Sequence, residues 1–162
     1  MKNPVSLKKL LIELAHLRKK KKKIVFTNGC FDIIHAGHVR YLNLARGLGD
    51  ALVVGLNSDS SVRGLKGAGR PIVPQGERAE VLSALKPVDY VVVFNEPTPL
   101  KLIEAVRPDM LAKGADWAAR DIVGGAVVKK SGGKIRRITL AKGRSTTNII
   151  RRVLELHGRK SP

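Results

Sequence analysis

Ile24-Val25-Phe26-Thr27-Asn28-Gly29-Cys30-Phe31-Asp32-Ile33-Ile34-His35-Ala36-Gly37-His38 is the stretch whose reading decides the fold. Its first three residues form a continuous apolar run, the mark of a buried strand. A polar, glycine-punctuated turn follows, and residues 39–48 then show helical spacing up to Gly49. Strand, turn and helix in that order put His35 and His38 at the carboxyl end of a strand, beside a helix N-terminus. Open α/β sheets bind anions at that place. If the helix begins at Gly37, both imidazoles can reach one phosphate chain, while Gly29 lets successive amides turn toward a bound nucleotide. Paired histidines also bind zinc. With no third histidine or cysteine cluster nearby, phosphate contact is the preferred reading.

Working outward, the same alternation repeats. Residues 51–56 read as a second strand, 77–85 as a helix, 88–94 as a third strand and 98–106 as a helix capped by Thr98. Residues 110–112 begin a fourth strand, 135–140 form a fifth, and 146–157 a last helix closed by Gly158. Residues 57–76 are polar and punctuated by Gly and Pro, and read as a functional loop. Continuous apolar strands separated by helices predict a three-layer α/β/α, Rossmann-like domain with a five-stranded, mainly parallel sheet.

The 162 residues are 43% hydrophobic, enough for one domain with a normal core. The single cysteine, Cys30, excludes an intrachain disulfide and suits a reducing cytosol. No leader is evident and no apolar stretch is long enough to span a bilayer, so a soluble, cytoplasmic protein with no membrane partner is expected. The net charge of +18 is unusual, and residues 1–23 alone carry +8 of it. Leu7, Leu10, Leu11, Leu14 and Ala15 fall at helical spacing behind Ser6 as N-cap, ahead of the lysine run 19–23. Residues 1–22 therefore read as a basic amphipathic helix with its lysine run, 23–158 as the main domain and 159–162 as a tail.

Three further segments place polar groups at strand ends, which converge on one crevice in such a fold. In the first, Asp59, Arg63, Lys66 and Arg70 occupy the Gly-rich loop, and Arg78 opens the next helix. Lysine and arginine there would neutralise charge developing during phosphoryl or nucleotidyl transfer. Arg63 and Arg78, taken singly, are equally readable as solvated surface charges, a reading that fits Lys66 beside Gly67 less well. In the second, Lys113-Gly114-Ala115-Asp116-Trp117, Gly114 admits a base and Asp116 can bond an amino group or ribose, while Trp117 suits core and site equally. In the third, Ser145-Thr146-Thr147 opens the last helix with good capping residues and free amides, a cap and a phosphate cradle at once.

Taken together, these segments resemble the cytidylyltransferase-like nucleotidyltransferase superfamily. Within it they are most similar to the adenylyltransferase domains of bacterial ADP-heptose synthesis enzymes. The likeness is carried by residues 26–38, Val39-Arg40-Tyr41-Leu42, Asn57-Ser58-Asp59, Leu65-Lys66-Gly67, Arg70-Pro71, Lys113-Gly114, Ile122-Val123-Gly124 and Ser145-Thr146-Thr147. It implies transfer of AMP from ATP to a sugar 1-phosphate, that of D-glycero-D-manno-heptose, with Mg2+ held mainly by the phosphates and pyrophosphate released. By that likeness His35, His38, Lys66 and Arg78 act on the phosphates. Thr27, Asn28, Gly29, Cys30, Phe31, Asp32, Gly37, Gly114, Asp116 and Trp117 line the nucleotide site, with Asp32 orienting His35 or a metal-bound water. Ser145, Thr146 and Thr147 hold the β- and γ-phosphates, and Asp59, Arg63 and Arg70 meet the acceptor. Ala115 and Trp117 depart from the usual glycine and tyrosine. The sugar kinase fused in many relatives is absent, so a separate enzyme is expected to supply the phosphorylated sugar. Dimerisation is common in such relatives.

A CTP-dependent enzyme acting on a small alcohol phosphate such as glycerol 3-phosphate is the near alternative. A basic nucleic-acid-binding module is the distant one, and it leaves the His, Lys and Ser-Thr-Thr segments without a role. Few aromatics accompany the charges, so stacking on single strands has little support.

Overall fold

The computed structural model describes residues 4–115, 118–139 and 145–158. In chain order the elements are α1 (Leu7–Lys19), β1 (Ile24–Gly29), α2 (Ala36–Arg46), β2 (Ala51–Asn57), α3 (Asp59–Lys66), α4 (Gln75–Ala84), β3 (Tyr90–Phe94), α5 (Leu100–Val106), β4 (Met110–Gly114), α6 (Gly125–Lys130), β5 (Lys134–Ile138) and α7 (Thr146–His157). The five strands form one sheet in the order β3-β2-β1-β4-β5, and every neighbouring pair is parallel. The fold is the α/β/α Rossmann-like arrangement expected from the sequence.

Residue alternation along β1 sends its side chains to two separate apolar layers. Val25 packs with Tyr41, Leu42 and Ala45 of α2 and with Ala79 and Leu82 of α4. Ile24 and Phe26 pack on the other face with Leu102, Ile103 and Val106 of α5 and Val128 of α6. Leu10 and Leu14 of α1 join this second layer at 0% exposure, and Ser6 caps the helix by accepting the Lys9 amide at 3.3 Å. The basic N-terminal helix is thus part of the core. Truncating Leu14→Ala is expected to lower unfolding free energy by about 2–4 kcal/mol, read from urea denaturation.

Strand order reverses direction at β1, since β2 and β3 extend to one side and β4 and β5 to the other. That places a topological switch point between the carboxyl ends of β1 and β4, where a crevice opens. At the opposite end, three aspartates fasten the strand starts. Asp50 accepts the Lys23 amide, Asp89 the Leu52 amide and Asp109 the Ile24 amide, each at 2.8 Å.

The structure differs locally from the sequence expectations. Residues 57–76 contain a helix, α3, capped by Ser58, whose hydroxyl accepts the Ser61 amide at 3.2 Å. Its buried residues are only Ser61 and Val62, too sparse a pattern for periodicity to register. Helix α5 starts after Pro99 with no side-chain cap, so Thr98 does not cap it. Strand β1 runs on through Thr27, Asn28 and Gly29, which pair with Val54, Gly55 and Leu56. Helix α6 was not anticipated at all, because six residues give no helical repeat to read.

Candidate active site

A cleft of about 410 Å³ occupies the switch point. The ends of β1 and β4 form its floor through Asn28, Gly29, Lys113 and Gly114, and the turn after β1 supplies Cys30, Phe31 and Asp32. The start of α2 brings His35, Gly37 and His38. Lys66 and Arg70 come from the segment after β2, and Ser145, Thr146 and Thr147 from the start of α7. Fourteen of the residues read from the sequence as site residues therefore face one cavity.

His35 is itself the N-cap of α2, its Nδ1 accepting the Gly37 amide at 3.1 Å. The helix thus begins at Ala36 rather than Gly37. With Nδ1 accepting that amide, the matching tautomer carries its proton on Nε2. His38 stacks on His35 with ring centroids 3.8 Å apart and meets Phe31 edge-on at 5.2 Å. Phe31 sits in the left-handed region at φ 42° with 6% exposure, so packing holds a conformation that its side chain disfavours. Gly29 lies under the same ring, since a Cβ there would stand 3.0 Å from Phe31. Burial, helped by the neighbouring His35, lowers the His38 pKa from the ordinary 6.5 to about 4. Its Nδ1 is buried with no hydrogen-bond partner. An anionic ligand would answer both features.

This shift has a consequence for stability. The unfolded chain takes up a proton at His38 near pH 6.5 and the folded one only near 4, so the contribution is complete above 6.5 and is lost as pH falls toward 4. Urea titrations at pH 7 and pH 5 should show a smaller loss for His38→Gln than for the parent chain. The difference should be about 1 kcal/mol, allowing for the ring's partial solvation.

Asp32 does not orient His35. Its carboxylate takes the Arg70 Nε at 2.5 Å and the amides of Ile72 and Val73 at 2.9 and 2.8 Å. Burial alone would raise its pKa, but the Val73 and Ile72 amides and the Arg70 guanidinium outweigh it and hold the group below the usual carboxylate range. It anchors the loop that carries Arg70 to the cleft wall. Burial pushes the Cys30 thiol up, against the opposing pull of Lys66, Arg78 and Arg70.

Arg78 also departs from its expected place. Its side chain is 0% exposed and does not line the cleft. The guanidinium donates to Asp59 Oδ1 at 2.8 Å, to the Val73 carbonyl at 2.9 Å and to the Cys30 carbonyl. Arg78 and Asp59 therefore brace the wall from behind. Arg63 is exposed on α3 outside the cleft, and Thr27 is fully buried with its hydroxyl 2.7 Å from the Tyr41 hydroxyl. Asp116 and Trp117 lie outside the described residues.

Two further cleft residues, Lys113 and Tyr41, belong to runs quoted from the sequence but carry no role in that reading. Lys113 Nζ donates to Asn28 Oδ1 across the β1–β4 junction. Tyr41 lines the cleft one helical turn beyond His38. The spacing of Tyr41 from His38 on one helix face was a usable signal. Lys113 had none beyond its position at a strand end.

Among the described residues, no group of three or more His, Cys, Asp or Glu could hold a metal ion. No helix among them is long and apolar enough to cross a membrane.

The profile of the cytidylyltransferase-like family matches residues 26–152. Among curated proteins, the bifunctional protein HldE of Syntrophotalea carbinolica is 56% identical over 138 residues, covering 85% of this chain and 28% of its own length. That of Methylobacillus flagellatus is 53% identical over 148 residues, covering 91% of this chain and 30% of its own. The chain thus spans less than a third of the length of these curated relatives. A solved structure, the lipopolysaccharide core biosynthesis protein of Thermoplasma volcanium GSS1, is similar with a TM-score of 0.62 at 30% identity. The match covers 76% of this chain and 99% of that one.

Proposed function

Because this chain belongs to the cytidylyltransferase-like family of nucleotidyltransferases, we propose that it transfers AMP from ATP to D-glycero-D-manno-heptose 1-phosphate. The products are ADP-heptose, a precursor for lipopolysaccharide core assembly, and pyrophosphate. The carrying observation is the cleft itself, where two stacked imidazoles, Lys66 and a hydroxyl-rich helix start share one cavity. The choice of acceptor rests on the motif likeness to the ADP-heptose enzymes, supported by the HldE relatives.

In this reading a phosphate oxygen of the sugar attacks the α-phosphorus in line. A new P–O bond forms as the bond to the bridging α–β oxygen breaks, and the electron pair leaves with pyrophosphate. His35, donating from Nε2, and His38 would hold the charge building on the transferring and leaving oxygens. The arriving phosphates would raise the His38 pKa, giving the ring a second N–H to donate and a positive charge. Lys66, in the last turn of α3, would meet the leaving pyrophosphate. The amides and hydroxyls of Ser145, Thr146 and Thr147 would seat the β- and γ-phosphates. Asn28, Gly29, Phe31 and Gly114 would border the nucleoside, and Arg70, fixed by Asp32, would face the acceptor phosphate.

Magnesium is the divalent ion we assign. Among the described residues, the one buried carboxylate lining the cleft, Asp32, is already engaged by Arg70 and two amides. Such a donor set fits an ion that enters on the triphosphate and neutralises its oxygens, rather than one caged by protein. A reducing cytoplasm suits the free Cys30 thiol at the cleft.

The test is a matrix of each nucleoside triphosphate against heptose 1-phosphate, glucose 1-phosphate and glycerol 3-phosphate, followed by pyrophosphate release. ATP with heptose 1-phosphate should turn over fastest. Preference for CTP with glycerol 3-phosphate would replace this reading with the cytidylyl one.

A further inference from the structure

The charge of this chain is distributed unevenly between the two ends of its sheet. All strands are parallel, so the helices that lead directly into the next strand, α2, α4, α5 and α6, return their C-termini to the end opposite the cleft. The lysine run 19–23 leads into β1 at that end, and every member of it is exposed. Lys86 and Arg107 sit exposed in the loops entering β3 and β4. Lys129 and Lys130 end α6, and Lys134 opens β5, all exposed.

Backbone bonds tie these loops into one continuous face. The Asp50 amide donates to the Lys23 carbonyl at 2.8 Å, the Asp109 amide to the Ile24 carbonyl at 2.9 Å and the Lys134 amide to the Asp109 carbonyl at 2.9 Å. Arg18 reaches across to the Arg107 carbonyl at 3.1 Å. The acids of this face include the three aspartates that fasten the strand starts, each of which accepts a backbone amide, and the exposed Glu104 in the last turn of α5. Asp50 also pairs with Lys22 at 3.1 Å and Asp89 with Arg46 at 2.8 Å, which leaves the other lysines in excess. At the cleft end, by contrast, Asp32, Asp59, Glu77, Glu96 and Asp121 are interspersed among the cations.

Helix dipoles account for part of this pattern, because cations in a last turn meet the partial negative charge of a C-terminus. Lys19, Arg46, Lys129 and Lys130 fit that account. The run 20–23, Lys86 and Lys134 do not, since none lies in a helix. Substrate phosphates do not explain them either, because the face lies at the far end of the sheet from the cleft.

We propose that this face docks the protein on an anionic phospholipid surface. The cations are mainly lysines on long flexible stems, spread over strand-start loops, as suits a plane of headgroup phosphates. Nothing here suits a groove or a base. The face carries no exposed aromatic side chain among the described residues, and it presents strand starts and helix C-termini rather than a projecting helix. The Leu44 side chain on α2, 57% exposed, adds an apolar group near the same end. The contact is peripheral, since no helix among the described residues is long and apolar enough to cross a bilayer. The cleft would then point away from the lipid and stay open to soluble substrates.

The experiment is co-sedimentation of the chain with vesicles of phosphatidylcholine alone and of phosphatidylcholine with about one third phosphatidylglycerol, at low and high salt. Binding is expected only to the anionic vesicles, and it should vanish at high salt. Replacing lysines 19–23 with glutamine should weaken it by at least about 100-fold. The triple change Lys129→Gln, Lys130→Gln and Lys134→Gln, on a separate part of the face, should weaken it by about tenfold. Lys101→Gln, at the cleft end, should leave it unchanged. Far-ultraviolet circular dichroism and melting of each variant confirm the fold. Absence of binding to anionic vesicles at low salt would overturn the proposal, as would binding indifferent to the face variants. Tighter binding to duplex DNA than to vesicles at equal phosphate concentration would overturn it in favour of a nucleic-acid partner.

Discussion

His38→Ala is expected to lower kcat for nucleotidyl transfer by roughly 10²–10³-fold while leaving the fold intact. The ring is held in place by the His35 stack and the Phe31 edge, yet its buried Nδ1 has no hydrogen-bond partner among the described residues. A polar atom kept dry and unbonded lowers stability, so its removal should not unfold the chain. Below pH 6.5 the variant should even lose less stability than the parent, because the depressed pKa no longer penalises the native state. Under the proposed function, what the variant would lose is a donor to charge that develops only in the transition state. Lys66→Ala, at an exposed position in the last turn of α3, should show a comparable fall in kcat with little change in melting temperature. A kcat within threefold of the parent in either variant would remove that residue from the mechanism.

Arg78→Ala should cost about 3–5 kcal/mol of stability, a larger loss than Leu14→Ala. The guanidinium is fully buried and joins three separate elements: Asp59 at the start of α3, the Val73 carbonyl before α4 and the Cys30 carbonyl after β1. Its removal leaves two carbonyls without their donor, a partly buried carboxylate without its counter-charge, and a cavity behind the cleft wall. Asp59→Asn should be milder, since the amide oxygen can still accept from Arg78 and the site is 27% exposed. The loss of activity in Arg78→Ala should follow the fraction unfolded in denaturant or heat. A folded variant with kcat reduced a hundredfold would instead return Arg78 to direct contact with phosphate.

The strand–turn–helix reading of residues 24–48 was enough to define the fold, because a buried apolar strand followed by a glycine turn leaves few alternatives. The site was legible for a related reason. In a parallel sheet the strand ends meet, so His35, Lys66, Gly114 and Ser145 could be brought together without knowing any distance. Three things were not legible. Arg78 opens its helix at a spacing that fits the crevice or the wall equally well, and only packing shows that it faces inward. Asp32 lies three residues from His35, yet its carboxylate bonds a loop forty residues on, a long-range choice that no local pattern encodes. Helix α3 has too few apolar residues to announce itself, and its stability comes from the Ser58 cap and from Asn57, whose amide donates to Ser61 Oγ at 2.9 Å.

The central claim is that this cleft joins AMP to a sugar 1-phosphate, and it is tested most directly by incubating the chain with Mg2+, ATP labelled at the α-phosphorus and D-glycero-D-manno-heptose 1-phosphate. The label should pass into ADP-heptose with one pyrophosphate released for each molecule formed, and neither product should appear when the sugar phosphate is omitted. Failure of the label to leave ATP, or pyrophosphate release independent of the sugar phosphate, would contradict it.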